Sequence, residues 1–419
     1  MNIPKYIIKE NSYMEPNISI YVEKVNREER YILFDFVNKG EFDAVLEKLE
    51  YVCNRALRIT ESEEGSFQKS IISLNIKDNH DFKYPTEGKI YKIGLGDLTE
   101  LIGNSNILPH HTESPASILL QMEINKRSER ILSDVFIKGS YPSEKMNYHP
   151  CSEEELKAIS LDIGNSYDVV VKNVGHGNWN QIISNSGRNV MFDFGCSTDY
   201  SNTQCSKLLN DRLLQDSWDL IISHWDLDHY NLLITADGQV LGNINSVYAP
   251  NNCITLTSQN VVNKLNSYSI NLKLIAPINK RVKHRQISLH EISAGNNWTM
   301  FCGEKSSSTN NSGLALAVYN YDKCVYLCAD HTYNQSFDDM HAYICSKIYS
   351  YKCHFVVPHH GRWAGKYNIA NYNTSMAPGL AVASCSSKSY GGPLCQNMNM
   401  YKALGFNWIE TEAFGDVTI

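Results

Sequence analysis

Short apolar runs separated by turn residues dominate the chain from about residue 167 onward. The runs at 168–174, 189–195 and 325–330 have the length of buried strands, whereas the leucines of 203–215 recur at helical spacing. Strands that alternate with helical segments are typical of an α/β fold. No run of about 18 apolar residues occurs, so the pattern predicts no membrane span.

The first 160 residues show a less regular pattern, which indicates a small α+β domain of unassigned role. Ser152 and Glu155 form a capping-box pattern, which predicts a short linking helix. We therefore divide the chain into an N-terminal domain at 1–160 and a C-terminal domain at 161–419. The N-terminal pattern predicts strands at 17–22, 30–36 and 131–137 and helices at 41–57 and 114–125.

Composition narrows the class of protein only slightly. The chain has 419 residues, of which 42% are hydrophobic and 20% charged, as in ordinary globular proteins. Its formal net charge of -7 argues against a broad nucleic-acid surface, although a local basic groove remains compatible with it. The 12 cysteines form no CxxC pair or regular framework, and the N-terminus lacks the apolar core of a signal peptide. We therefore expect reduced thiols and a cytoplasmic location.

The strongest chemical signal is a six-residue window directly after a predicted strand. His224, Asp226, Asp228 and His229 follow the apolar residues at 220–222. Imidazole and carboxylate are ligands for zinc, manganese and iron, and four of them so close together suit a site for two metals. The alternative is a solvated acidic loop.

Three further strand ends carry side chains of the same kinds. Asp193 ends the strand at 189–195, Asp330 ends the strand at 325–330, and His359-His360 follow a strand that closes with Pro358. The alternative for each aspartate is that it caps a turn at the end of its strand. The pair His110-His111 could bind metal but is interpreted as a loop, since no cysteine or run of carboxylates lies nearby in the sequence. The basic run at 280–285 could contact phosphates but is interpreted as a solvated loop.

The order of these pieces resembles the metallo-β-lactamase fold. The spacing His-x-Asp-x-Asp-His at 224–229 is similar to that family's His-x-His-x-Asp-His loop, with Asp226 in place of a histidine. The run Pro358-His359-His360-Gly361 resembles the hydrolase domain of the competence DNA-uptake proteins. The resemblance covers about 165–419 and implies an αββα sandwich.

The resemblance also implies a set of site residues. Asp193 would orient the metal loop without binding metal, Asp330 would bridge two divalent ions, manganese or zinc, and Asp228 and His359 are the catalytic candidates. The expected metal ligands are His224, Asp226, Asp228, His229, Asp330 and His360. One expected division places His224 and Asp226 on one ion, and Asp228, His229 and His360 on the other.

Several positions depart from the competence-type pattern. His176 stands where those relatives usually have glutamine, Asn178 where they have aspartate, and Ala329 where they have glycine. Gly391-Gly392-Pro393 lacks the histidine that relatives often carry there, and no third-motif histidine follows 310–318. We therefore expect the catalytic details to differ from those of the relatives.

The implied activity is metal-dependent hydrolysis of phosphodiesters by an activated water. The acidic net charge favours a short or single-stranded nucleic acid, or a nucleotide, over a long duplex. Two alternatives stay open: a hydrolase of small esters, lactones or phosphorylcholine-type compounds, and a non-catalytic sensor that keeps the fold. The N-terminal domain would recognise a protein partner, gate the site or mediate assembly.

Overall fold

The computed structural model describes residues 16–27, 30–52, 70–76, 82–107, 118–138, 149–185, 188–212, 217–279, 287–306, 308–386 and 392–419. Within these residues the protein is a mixed α/β structure with one six-stranded and two seven-stranded sheets. The predictions for His110-His111, for the basic run at 280–285 and for Gly391 lie outside the described residues.

The six-stranded sheet belongs to the N-terminal part of the chain. Its strand order is β4-β1-β2-β3-β6-β5, and a core that includes Ile20, Phe34, Leu74, Leu98 and Leu132 lies between the sheet and its helices. The elements are β1 (Asn17–Asn26), β2 (Tyr31–Phe36), α1 (Lys39–Val52), β3 (Ile71–Ile76), β4 (Ile90–Gly94), α2 (Leu95–Gly103), β5 (Asn106–Ile107), β6 (Ile118–Ile124) and α3 (Lys126–Ile137).

Two of the predicted N-terminal elements are wrong. The helix predicted at 114–125 contains β6 instead, which pairs in parallel with β3, so tertiary pairing overrides the local helical pattern. The strand predicted at 131–137 is part of α3. The Asn125 side chain accepts hydrogen bonds from the backbone N–H groups of Arg127 and Ser128, which caps this helix.

The two seven-stranded sheets account for the chain after residue 160. The elements of this part are α4 (Glu153–Lys157), β7 (Tyr167–Val171), β8 (Trp179–Ser184), β9 (Asn189–Phe194), α5 (Asn202–Arg212), β10 (Trp218–Ile221), α6 (Leu232–Thr235), α7 (Gly238–Gly242), β11 (Ile244–Pro250), α8 (Leu256–Ser267), β12 (Asn271–Ile275), β13 (Leu289–Ala294), β14 (Trp298–Gly303), β15 (Leu314–Tyr319), β16 (Lys323–Leu327), α9 (Ala342–Lys347), β17 (Lys352–Val356), β18 (Ala377–Ala383), α10 (Cys395–Ala403), β19 (Asn407–Glu410), α11 (Thr411–Phe414) and β20 (Val417–Thr418). The capping box of Ser152 and Glu155 is present at the start of α4, as predicted.

The two large sheets follow the same pairing pattern. In the order β20-β7-β8-β9-β10-β11-β12, three antiparallel pairings are followed by three parallel ones. The order β13-β14-β15-β16-β17-β18-β19 repeats that sequence of pairings. In each sheet the change to parallel pairing therefore occurs at one strand, β9 in the first and β16 in the second.

Three apolar layers hold these sheets and helices together. Phe192 and Ile221 of the first sheet meet Leu316 and Val356 of the second in a shared core. Helices α5 to α8 cover the outer face of the first sheet, and the π-helical turn Gln335–His341 with α9 and α10 covers that of the second. The layers therefore run helices, sheet, sheet, helices. Of the described helices, none has the length and apolar character needed to cross a bilayer.

The six-stranded sheet packs against the helices and loops that cover the first large sheet. Tyr31 and Leu33 belong to the core beneath helices α5 to α8. The buried carboxylate of Asp35 accepts a hydrogen bond from the backbone N–H of Thr257 at 3.0 Å, and Lys24 pairs with Asp199 at 3.2 Å. The domain boundary near residue 160 stays a prediction, but these contacts bring β1 and β2 close to the loops described next.

Candidate metal centre

The carboxyl ends of β9, β10, β16 and β17 meet at one corner of the two sheets. Because parallel strands end at the same edge, the loops that follow them lie close together. The loop after β10 carries His224 to Asp226 and then makes a short 3-10 turn at Leu227–His229. Asp330 follows β16, and a tight turn at Pro358–Gly361, whose two histidines have left-handed backbone angles, follows β17. The strand-end residues predicted from the sequence therefore converge.

The carboxylate of Asp193 accepts several hydrogen bonds that hold the first loop in place. Its Oδ1 accepts the backbone N–H of Ser223 at 2.6 Å, and its Oδ2 accepts the Ser223 hydroxyl at 2.9 Å and the Asn178 amide at 3.0 Å. Oδ2 also lies 2.9 Å from Nδ1 of His229. A carboxylate in this position holds the proton on Nδ1, which leaves the lone pair of the His229 Nε2 facing the site.

Three histidines present the same nitrogen to the centre. Nδ1 of His360 donates to the Ser384 carbonyl at 2.9 Å, and Nδ1 of His224 lies 3.0 Å from the Ser223 hydroxyl. The Nε2 atoms of His224, His229 and His360 are buried and make no hydrogen bond. Buried polar atoms without partners are costly in a protein interior, so these nitrogens call for a ligand.

The donor atoms form two groups with Asp330 between them. His224, His229 and Asp330 make one group, and His176, Asp228 and His360 make the other. Asp330 Oδ1 is 3.4 Å from Nε2 of His229 and 3.8 Å from Nε2 of His360. The grouping differs from the expected division, because His229 lies with His224 and not with His360.

His176 is a donor that we did not predict from the sequence. It lies in the turn between β7 and β8, and its ring centroid is 4.4 Å from that of His360. Burial, followed by the neighbouring His360, holds the pKa of His176 well below its usual value, so its imidazole is neutral and able to bind metal. The sequence signal was the Gly-x-Gly turn itself, which brings the backbone of Gly177 against Cys196.

The charged groups of the centre strongly shift one another's pKa values. Burial would raise the pKa of Asp330, but the histidines around it, chiefly His359 and His229, hold it well below its usual value. Burial would lower the pKa of His229, but Asp330, Asp193 and Asp228 raise it well above its usual value. These shifts show that positive charge among the carboxylates is strongly favoured, whether a proton or a metal ion supplies it.

Asp226 lies at the edge of the first group. Its Oδ2 is 3.4 Å from Nε2 of His224. Its Oδ1 accepts hydrogen bonds from the Tyr21 hydroxyl at 2.9 Å and from the Thr309 hydroxyl at 3.1 Å. Tyr21 belongs to β1, so the N-terminal sheet helps to hold a predicted metal ligand in place.

His359 takes a different position from His360. Its side chain is 31% exposed, and its Nε2 lies 3.6 Å from Oδ2 of Asp330. It lines the cavity above the donor atoms and belongs to neither donor group among the described residues. Of the two adjacent histidines, His360 is therefore the one that belongs to a candidate donor group.

Backbone strain is concentrated at the same corner. Among the described non-glycine residues, six have positive φ angles, and four of these lie at the strand ends of the site: Asp193, Ala329, His359 and His360. Such conformations cost roughly 1–3 kcal/mol each and persist only where the surroundings enforce them. These backbone conformations direct the loops that carry the candidate ligands toward one point.

The corner consists of four imidazoles and three carboxylates, most of them buried. Three of the imidazole Nε2 atoms make no hydrogen bond. The donor set is one that could hold metal ions. The three Nε2 atoms lie 3.3–3.4 Å from carboxylate oxygens of Asp226, Asp330 and Asp228, so either a proton or a metal ion would satisfy them.

Comparisons with known proteins add little to this conclusion. No family model matches the chain, and no curated protein matches it. Among solved structures, the crystal structure of CmlA, a diiron beta-hydroxylase from Streptomyces venezuelae, is 8% identical, with a TM-score of 0.34. The match covers 71% of this chain and 57% of that chain. A likeness this remote carries no argument about the reaction, so the function must be argued from the site.

A cavity of about 410 Å³ opens above the donor atoms. Its lining includes Asp228, Asp330 and His359 from the loops, and Glu23, Glu87 and Gly88 from the N-terminal sheet. The volume falls within the range of small-molecule sites, about 300–1,000 Å³.

Proposed function

We propose that the protein is a hydrolase of the metallo-β-lactamase fold that uses two divalent metal ions to cleave phosphodiester bonds. The observation that carries the proposal is the position of Asp330, whose carboxylate lies between two groups of donor atoms. A carboxylate has two oxygens, so one such residue can join two cations.

The donor residues divide into two sets in this proposal. His224, His229 and Asp330 would hold one ion, with Asp226 beside them, and His176, Asp228 and His360 would hold the other. Two such ions lower the pKa of a bound water and stabilise the negative charge that develops on a phosphoryl group.

The chain's own residues prepare and assist the reaction. Asp193 keeps the proton of His229 on Nδ1, and the Ser384 carbonyl does the same for His360. In this proposal Asp228, whose Oδ1 lies 3.9 Å from Nε2 of His229, would accept a proton from the attacking water. His359, on the cavity wall, would donate a proton from Nε2 to the leaving alcohol.

Manganese and zinc are the metals that we propose. Asp226 in place of a histidine favours manganese, while the added imidazole of His176 favours zinc. Metal analysis of protein purified without chelator should find close to two equivalents of one of these metals. Protein that carries no transition metal would support the sensor alternative instead.

The test of the proposal is hydrolysis of bis(p-nitrophenyl) phosphate by the metal-loaded full-length chain. We expect turnover that Asp330→Asn lowers by at least about 100-fold, because both ions lose a ligand. His290→Gln is the matched control, since His290 pairs with Glu304 at 2.9 Å outside the site and should keep its activity.

The same assay separates the alternative reaction. The modest, partly acidic cavity favours small substrates, so a hydrolase of carboxylic esters or lactones is the second candidate. Turnover of p-nitrophenyl acetate, without turnover of the phosphodiester by the metal-loaded protein, would replace our proposal with that candidate. A comparison of short single strands, nucleotides and duplex DNA would then test the proposed nucleic-acid or nucleotide substrate. We separately propose that the N-terminal domain binds a protein partner.

A further inference from the structure

One rim of the substrate cavity is the segment 361–365, which directly follows the candidate ligand His360. Arg362 and Trp363 of this segment line the cavity beside His359 and His360. Trp363 is 50% exposed. The other five tryptophans of the chain are buried or half-buried: Trp179, Trp218, Trp225, Trp298 and Trp408. A large aromatic side chain is therefore open to solvent at the rim of the cavity above the donor atoms.

Hydrogen bonds on both sides of Trp363 fix the backbone of this segment. The Arg362 carbonyl accepts the side-chain amide of Asn397 at 2.5 Å. The Ala364 carbonyl accepts the backbone N–H of Tyr333 at 2.9 Å. The exposed indole is thus carried by a backbone that is held in place. Such preorganisation reduces the entropy lost when a ligand binds to the side chain.

The guanidinium of Arg362 brings positive charge to the same cavity. Burial raises the pKa of Glu87, another lining residue, and the charge of Arg362 is among those that oppose this rise. Arginine binds phosphate oxygens through a planar fork of N–H groups, and an aromatic face stacks on a nucleobase. Adjacent residues of one fixed segment therefore offer a surface for an anion and a surface for a planar ring.

Resting on the proposed function, we infer that Arg362 and Trp363 bind the nucleoside-bearing arm of the substrate, so that the protein acts on small nucleotide diesters. Trp363 stacks on the base, and Arg362 contacts the phosphate oxygens. Stacking tolerates every base, so the preference is for a base as such and not for one base over another. The cavity volume of about 410 Å³ suits a ligand of nucleotide size better than a duplex.

The inference is tested with two diesters that differ only in the base. These are thymidine 5′-(p-nitrophenyl phosphate) and its abasic counterpart, in which hydrogen replaces thymine. In both, a water oxygen bonds to phosphorus, the bond from phosphorus to the p-nitrophenolate oxygen breaks, and the proton released from water passes to solvent. Any difference in rate therefore reports on the base.

We expect the metal-loaded full-length chain to prefer the thymidine diester in kcat/KM by about tenfold or more. Trp363→Leu should bring the ratio close to one, whereas Trp363→Phe keeps an aromatic face and should retain most of the preference. Tyr321→Leu is the matched control, because Tyr321 is 73% exposed and is not part of the cavity lining, and it should keep the full preference. A wild-type ratio near one overturns the inference without reference to any variant.

A second variant tests the phosphate contact separately. Arg362→Gln removes the charge and should lower kcat/KM for both diesters by about tenfold, while the ratio between them stays the same. Lys366→Gln is the matched control, since Lys366 is exposed and lies outside the cavity lining. An Arg362→Gln protein with wild-type activity on both diesters would overturn the phosphate contact.

Binding separates this inference from the proposed reaction. Thymidine 5′-monophosphate and 2-deoxyribose 5-phosphate are titrated into the metal-loaded chain, with calorimetry and tryptophan fluorescence as readouts. The nucleotide should bind more tightly and quench the fluorescence, and Trp363→Phe should remove the quenching. Tighter binding with quenching, but without hydrolysis of either diester, would reject the proposed reaction and keep the stacking role of Trp363. Hydrolysis of both diesters at equal rates, with equal binding of the two phosphates, would reject that role alone.

Discussion

At the scale of single residues, the metal loop depends on a carboxylate that would not touch metal. Asp193 accepts from the backbone and the hydroxyl of Ser223, from Asn178 and from His229. It does so from a left-handed conformation, which is uncommon outside glycine but which aspartate adopts more readily than most residues. Asp193 therefore fixes the orientation of a ligand histidine through its ring nitrogen.

Asp193→Asn should weaken metal binding by about 10–100-fold, the usual effect of losing such a supporting group. An amide has one acceptor oxygen, and its N–H groups would face other N–H donors in this pocket. Metal affinity is measured by competition with a chromogenic chelator. Asp162→Asn, an exposed change, is the control, and equal affinities for the two variants would contradict the assignment.

Gly195→Ala should destabilise the same loop by about 1–3 kcal/mol, the usual cost of overpacking. A Cβ atom on Gly195 would lie 2.0 Å from the Asp228 carbonyl oxygen, so the backbone must move. Urea unfolding of the apo and metal-loaded forms measures the effect. Gly242→Ala has open space around it and serves as the matched control. A Gly195→Ala protein as stable as that control would show that the two loops are not tightly packed.

Sequence patterns could identify ligands that follow strands but not those that come from elsewhere. The windows around Asp193, His224 and Asp330 stand at strand ends, where side chains of parallel strands converge. His176 lies in the Gly-x-Gly turn between β7 and β8. That motif marks a turn, but it gives no periodic signal that the histidine inside it faces the site.

At the scale of secondary elements, the apolar runs after residue 167 became strands, as predicted, at positions such as β9, β10 and β16. Continuous apolar runs predict strands reliably there because both faces of each sheet are covered. The N-terminal pattern was less clear. The segment that became α3 carries buried Leu132, Val135 and Phe136 at helical spacing after the Asn125 cap, and this signal could have identified it.

The π-helical turn before α9 contains a buried histidine whose protonation opposes folding. Nδ1 of His341 lies 2.9 Å from the Tyr326 hydroxyl, and Nε2 lies 2.9 Å from the Asn373 carbonyl. Burial lowers the pKa of His341 to about 4 from 6.5. Since the unfolded chain takes up the proton first, stability falls as the pH drops from about 6.5 to about 4.

We expect His341 to account for a loss on the order of 3 kcal/mol across this pH window. His341→Gln removes the titrating group, so the difference in unfolding free energy between wild type and variant should shrink as the pH falls. Urea unfolding at pH 8, 7, 6 and 5 measures it, and the difference between pH 8 and 7 serves as the internal control. A difference that stays constant down to pH 5 would contradict the prediction.

At the scale of the whole molecule, the candidate metal centre lies where the two large sheets meet. His224 and His229 follow β10 of the first sheet, and Asp330 follows β16 of the second. A ligand that binds only the folded state raises stability by about 2.7 kcal/mol at a free concentration 100 times its Kd. Metal bound here therefore stabilises the packing of one sheet on the other.

Removal of metal by a chelator should lower the Tm of the wild-type protein by several degrees, since about 1 kcal/mol shifts the Tm of a large domain by roughly 2–4 °C. Asp330→Asn protein should begin with the lower Tm and respond little to the chelator. Differential scanning calorimetry of both proteins provides the comparison. An equal response from the two would place the stabilising metal somewhere else.

The repeated pairing pattern of the two large sheets suggests an origin for a single site that is built from both of them. Each sheet changes from antiparallel to parallel pairing at one strand, and each places an aspartate at the end of that strand and histidines after the next. A duplicated ancestral half would give this arrangement. Each sheet alone supplies only part of either donor group, so the site is complete only where the two sheets meet.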